Sequence, residues 1–168
     1  MSRELLKYAG FALVGLIVSV GVVLFLNRGA HVVLDGSIVS VRTQAMNETS
    51  AVAVIDFRFV NPSDYPFIVR TTEVILEDNS GLQHTSKPVS AREADRLFQY
   101  YPLLGQKYNE VLKMRDTVEP DQSMDRMICA LFDVPVASLE NRTRLIIRVE
   151  DVDGVISEIA EVPVEPEG

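Results

Sequence analysis

Residues 8–26 carry no charge and consist almost wholly of Ala, Val, Leu, Ile, Phe and Gly. A helix over that run rises roughly 28 Å at about 1.5 Å per residue, close to the hydrocarbon thickness of a bilayer. The pattern predicts a transmembrane α-helix over residues 8–27, behind a short flank at residues 1–7. Past His31 the apolar run gives way to short β-rich segments bounded by turn residues. One soluble domain is expected over residues 28–163, followed by an acidic, Pro-containing tail at 164–168 that frays.

Within the domain, residues 32–43 are β-branched, with an irregularity expected at Asp35-Gly36. Residues 51–60 alternate: Ala53, Ile55, Phe57 and Phe59 face one way, while Val52, Val54, Asp56 and Arg58 face the other, as in a half-buried strand. Asn61-Pro62-Ser63-Asp64 breaks the ladder, because Pro cannot donate and Asn and Asp bond their own backbone. Residues 67–77 resume it up to the turn Asp78-Asn79-Ser80-Gly81. Residues 111–118 place Leu112, Met114 and Val118 on one face, and residues 127–132 read as an inner strand. Leu145, Ile147 and Val149 alternate with Arg144, Ile146 and Arg148 before Asp153-Gly154 turns into residues 155–162, a hairpin.

One helix interrupts these strands. Ser90 and Glu93 form a capping box, after which Ala94, Leu97, Phe98 and Tyr101 recur at helical spacing until Pro102. The insertion spans residues 90–108, and its apolar stripe is expected to bury against a sheet. About seven antiparallel strands without a βαβ rhythm predict an all-β protein: an immunoglobulin-like antiparallel β-sandwich with one inserted amphipathic helix, preceded by the single transmembrane helix.

Charge narrows the partners. The chain has 16 Lys and Arg against 24 Asp and Glu; setting aside Arg3, Lys7 and Glu4 leaves 14 and 23, a formal −9 downstream. Such a surface repels nucleic acid and anionic headgroups. A cleaved signal peptide has a shorter apolar run of about 7–15 residues and a small-x-small site, whereas Arg28-Gly29-Ala30 puts a cation there; an uncleaved signal anchor is expected. Arg3 and Lys7 before the run, against Arg28 after it, favour an N-terminus in the cytoplasm and the domain outside the cytoplasmic (inner) membrane. Gly15 and Ser19 form a small-xxx-small pair through which two anchors could make a weak homodimer.

The stretch Phe57-Arg58-Phe59-Val60-Asn61-Pro62-Ser63-Asp64-Tyr65-Pro66-Phe67 resembles the Asn-Pro signature of LEA-14-like (water stress and hypersensitive response) domains. Val118-Glu119-Pro120-Asp121, followed by Ala130-Leu131-Phe132-Asp133-Val134-Pro135, is similar to the ending of small bacterial secreted immunoglobulin-like domains of unknown function. Both likenesses imply a β-sandwich and carry over no catalytic residue. The chain departs from them at Asp121-Gln122, where a turn Gly is usual, and in its inserted helix.

Candidate chemistry is sparse. With His31 and His84 the only histidines, and Cys129 the only cysteine in an apolar stretch, neither a hydrolase nor a zinc site is expected. Glu150, Asp151 and Asp153 around the Asp153-Gly154 turn are weak candidates for Ca²⁺, against the simpler reading of solvated turn carboxylates. No cofactor is implied. Phe98, Tyr100, Tyr101, Leu104 and Tyr108 belong to the densest aromatic and aliphatic cluster outside the strands; most of that cluster is expected to pack inward as core, and the part left exposed makes these residues candidates for contact with a protein partner in the envelope. The sequence therefore favours a non-enzymatic module, held to the bilayer through residues 8–27, for protein interaction or envelope structure. A LEA-14-like stress-protective domain without a defined partner is the alternative, and a ligand-binding or Ca²⁺-binding sandwich a further one.

Overall fold

The computed structural model describes residues 33–161 and, upstream, residues 13, 15, 16 and 18–22. The chain divides into two units, Met1–His31 and Val32–Gly168. In the first, the described positions are helical, and the Ser19 hydroxyl donates to the Gly15 carbonyl at 2.9 Å, one turn back. Among the described residues no helix is long and apolar enough to cross a membrane; most of the expected span lies outside them. The 1–7 flank, residues 23–31 and the 164–168 tail also lie outside.

Among its described residues the second unit is mostly β, with eight strands in two antiparallel sheets. One sheet holds β1 (Asp35–Ala45), β2 (Ala51–Val60) and β6 (Ser123–Phe132) in the order β1-β2-β6. The other comprises β3 (Phe67–Glu77), β4 (Gln83–Ser86), β5 (Thr117–Val118), β7 (Arg144–Asp151) and β8 (Ile156–Ala160), in the order β4-β3-β7-β8, with β5 also on β3. Helix α1 (Ala91–Tyr100) leads into a 3₁₀ turn, Pro102–Leu104, and a short helix α2 (Val136–Glu140) joins β6 to β7.

The two sheets share one apolar core. Ala53, Ile55, Phe57 and Phe59 of β2 and Ile128, Ala130 and Phe132 of β6 bury with Val74 and Leu76 of β3, Leu145, Ile147 and Val149 of β7 and Ile159 of β8. These are alternate residues of each strand, as the pleat requires. The Phe57 and Phe59 rings stack with centroids 5.4 Å apart. At the start of the domain the buried Leu34 donates its amide to the Ser157 hydroxyl at 2.8 Å, tying the approach to β1 to β8.

Asn61 does more than cap its own turn. Its side chain is fully buried; Nδ2 donates to the carbonyls of Tyr65 (2.7 Å) and Val118 (2.9 Å), while Oδ1 accepts from the Ser63 amide and hydroxyl. The backbone of the same residue bonds Asp121 and Gln122. One residue thus joins the end of β2, the Pro62 loop, β5 and the turn into β6, with the amide's donors and acceptor satisfied. Asp121 stands in the left-handed region at φ 57°, where a Gly would be unstrained.

Several expectations need correction. Eight strands replace about seven, because the polar segment Gln83–Ser86 pairs with β3 as β4. Residues 111–118 are not one strand. Val111 makes a single bridge to Met127, Arg115 turns at φ 69°, and the Asp116 carboxylate accepts from the Lys113 amide, so only Thr117–Val118 is strand and Met114 is exposed. The β1 irregularity falls between Ile38 and Ser40 rather than at Asp35-Gly36. Gly36 stays in register opposite Phe59, at an approach only Gly allows: a Cβ there would sit 2.7 Å from the Arg58 carbonyl and 2.8 Å from the Phe59 Cβ. β2 is buried on both faces rather than half-buried.

A clamped helical insertion as candidate functional site

The outer face of β2 and β6 is covered by the insertion. Ser90 accepts from the Glu93 amide and Glu93 from the Ser90 amide, which fixes the start of α1; those bonds hold the Glu93 carboxyl below its usual range, the Ser90 amide contributing most. From that start Ala94 and Leu97 point down onto Val52 and Val54 of β2 and Met127 and Cys129 of β6, with Leu104 and Val111 completing a second core. Burial pushes the Cys129 thiol up to about 11, so it is no nucleophile at neutral pH.

Beside this apolar patch lies a polar knot. Asp56, on the same face of β2, is 3% exposed and accepts from Arg42 Nη2 at 2.8 Å, Asn109 Nδ2 at 2.8 Å and the Ser40 hydroxyl at 3.3 Å. Arg42 Nη1 also donates to the carbonyls of Leu104 and Gln106, and its guanidinium lies over the rings of Tyr108 (4.9 Å to the centroid) and Phe98 (5.6 Å). A buried carboxylate is tolerable only when paired and hydrogen-bonded, and here the pairing group also grips the insertion at two carbonyls and two rings. Arg42, Asp56 and Asn109 escape a sequence reading because they come together only through strand register and the return of the chain at residue 109.

The contact candidates now separate by depth. Tyr100 is 78% exposed and Tyr108 69%, joined by Leu103 at 85%. Phe98 and Tyr101 are half-buried against the second core. Leu104, 1% exposed, belongs to that core and offers no surface, because the 3₁₀ turn after Tyr101 rotates it beneath the chain. Beside α1 a concavity of about 440 Å³ is lined by Met46, Val89, Leu97, Tyr100, Tyr101 and Leu131, with Glu93 and Arg96 also in its wall.

The acidic hairpin candidates point to different tasks. Asp151 is buried, its carboxylate accepting from the Ile68 amide at 2.7 Å; Glu150 pairs with Arg70 at 3.2 Å. Among the described residues no three His, Cys, Asp or Glu side chains are placed to hold a metal ion. His84 Nε2 lies 3.3 Å from Asp78, and His31 lies outside the described residues. Of the anchor-pairing candidates, the Ser19 hydroxyl is engaged by its own helix at Gly15.

No family model and no curated protein matches the chain. Three solved structures show remote similarity. One is a structural-genomics target at 10% identity, covering 81% of this chain and 86% of that one, with a TM-score of 0.37. Another is a Bordetella pertussis protein given the name ApaA, at 11% identity, 81% and 98% coverage and a TM-score of 0.37. The third is the archaellum periplasmic stator protein FlaG from Sulfolobus acidocaldarius, at 11%, 76% and 99%, with 0.32.

Proposed function

We propose that the chain is a single-span envelope protein whose domain, an immunoglobulin-like β-sandwich, works without catalysis by docking a protein partner on the helical insertion. One observation carries this reading: Tyr100, Leu103 and Tyr108 stand exposed on a segment that Arg42 and Asp56 bond at Leu104, Gln106 and Asn109. Exposed aromatic and aliphatic anchors on a fixed scaffold, beside a concavity that can take an apolar side chain, are what protein interfaces use, and rigidity lowers the ordering cost of binding. Tethering fits the uncharged run at residues 8–26 and the described helical positions, where Leu13, Leu16, Val18, Val20 and Val22 are each at least half exposed. In this reading the N-terminus is cytoplasmic and the domain faces outward, following Arg3 and Lys7. Attachment concentrates the domain in a thin layer, so a modest affinity suffices.

Crosslinking in intact cells, followed by purification of the full chain in mild detergent, tests the proposal. One or two stoichiometric partners are expected, lost when Tyr100→Ala and Leu103→Ala are combined while the melting temperature holds; each anchor is worth about 2 kcal/mol. A diffuse set of captured proteins, unaffected by the substitutions, would sink the docking role and favour the LEA-14-like alternative of protection through hydration. Release of the chain by carbonate washing would remove the tether.

A further inference from the structure

β3 is paired along most of one edge but only at the two ends of the other. β7 runs beside it from Val69 to Glu77. On the opposite side β5 meets only Phe67 and Ile68, the loop residues Arg115 and Asp116 bond Val69, and β4 begins at Val74. Residues 70–73 are therefore left with no strand beside them there. A groove of about 550 Å³ opens at this gap, with Thr71 and Thr72 of β3 in its wall, and segments 87–92 and 112–114 lining the rest.

Its charge is opposite to that of the protein. Lys87, Arg92 and Lys113 line the groove, no carboxylate does, and none of the three cations forms an ion pair among the described residues. In a chain with 24 acidic and 16 basic residues, three unneutralised cations around one concavity make a local positive field in a negative surround. Pro88, Leu112 and Met114 add apolar surface between the charges, with Met114 74% exposed.

We infer that this groove binds an extended, acidic polypeptide segment, which adds to the open edge of β3 as a short strand while Lys87, Arg92 and Lys113 meet its carboxylates. The gap spans four residues, roughly 13 Å at about 3.3 Å per residue, enough for main-chain pairing on the pattern of strand addition. An open edge is otherwise a liability for aggregation, and natural sheets cover or charge it. A free phosphate would meet the cations but leave the strand edge unpaired. A flat anionic membrane would have to approach a domain that is acidic overall. Side chains of alternating character fit best, carboxylates toward the cations and apolar groups toward Leu112 and Met114. The groove shares Val89 with the concavity beside α1, but Tyr100, Leu103 and Tyr108 do not line it, and the inference does not depend on that aromatic surface.

The test uses the full chain in mild detergent and an acetylated octapeptide alternating Glu and Val. Binding tighter than about 1 mM is expected, with backbone amide shifts confined to Thr71, Thr72 and their neighbours. Combining Lys87→Glu, Arg92→Glu and Lys113→Glu, all at exposed positions, should weaken binding about tenfold or more with an unchanged melting temperature. Absence of shifts at Thr71 and Thr72 overturns the inference. So does equal binding by an octapeptide alternating Lys and Val, or displacement of the peptide by inorganic phosphate or by vesicles of anionic phospholipid. If the triple substitution lowers the melting temperature, Lys113→Gln alone must still weaken the peptide measurably, or the inference fails.

Discussion

On the inner face of β2, Ala53, Ile55, Phe57 and Phe59 meet apolar side chains of both sheets; on the outer face Val52 and Val54 meet a helix, and the next position is a buried carboxylate. The inner face is closed by packing alone, which is non-directional and degrades by degrees as volume is removed. The outer face is closed by a small apolar patch plus directed bonds through Arg42, Asp56 and Asn109, and losing Asp56 takes one partner from each of the other two while Arg42 keeps its two carbonyls. The first face accounts for the stability of the domain. The second decides whether the insertion stays in place.

The largest effect should come from breaking the inner face. Phe57→Ala empties a site among fully buried neighbours and stacked on Phe59, and should cost about 3–5 kcal/mol in urea unfolding, lowering amide protection across both sheets together. Breaking the outer face should be smaller and local. Asp56→Ala leaves Arg42, whose side chain keeps 21% exposure and two carbonyl partners, so the cost is about 2 kcal/mol rather than the 3–5 of a fully buried pair. Protection should fall at Ala94, Leu97 and Leu104 while β3 and β7 keep theirs. Cys129, the only cysteine and buried under α1, reports the same event: its labelling by a thiol reagent should accelerate about tenfold in Asp56→Ala. Equal loss of protection in both sheets would show that the two faces are one cooperative unit.

How much of this was legible from the sequence follows the same division. Features set by neighbours in the chain could be read: the capping box at Ser90 and Glu93, the alternation of β2, and the hairpin turning at Gly154 with φ 84°. β4 could not, since Gln83–Ser86 is short and polar and is strand only because β3 offers an edge. Residues 111–118 misled because Leu112, Met114 and Val118 alternate, while the left-handed turn at Arg115 is invisible to a count of apolar positions. α2 sits directly after Pro135 and is only five residues long. Of the site, Tyr100 was readable as an aromatic off the helical stripe, whereas Leu104, off the same stripe, is buried because the 3₁₀ turn carries it under the chain. The knot was not readable: Asp56 looked like a solvent-facing alternate until Arg42 arrived across the β1–β2 ladder and Asn109 closed over it.

The smallest expected effect lies at the β3–β4 turn, remote from both faces. The Ser80 hydroxyl, with help from His84 and the Leu82 and Ser80 amides, holds the Asp78 carboxyl at about 2 against an ordinary 3.8. A carboxyl depressed on folding stabilises the folded state above its unfolded value and loses that contribution as pH falls from about 3.8 toward about 2. The melting temperature of Asp78→Ala should sit slightly below that of the parent at neutral pH, and the gap should close across that window. A gap that widens in acid would refute the assignment.

The bond from Leu34 to Ser157 has a mechanical consequence. Leu34, two residues into the domain, is already sunk in its core and stitched to the last strand of the opposite sheet, so a force that reaches Leu34 is shared between the two sheets. A pull from the N-terminal side must break β1 and β8 contacts together before any strand can peel away alone.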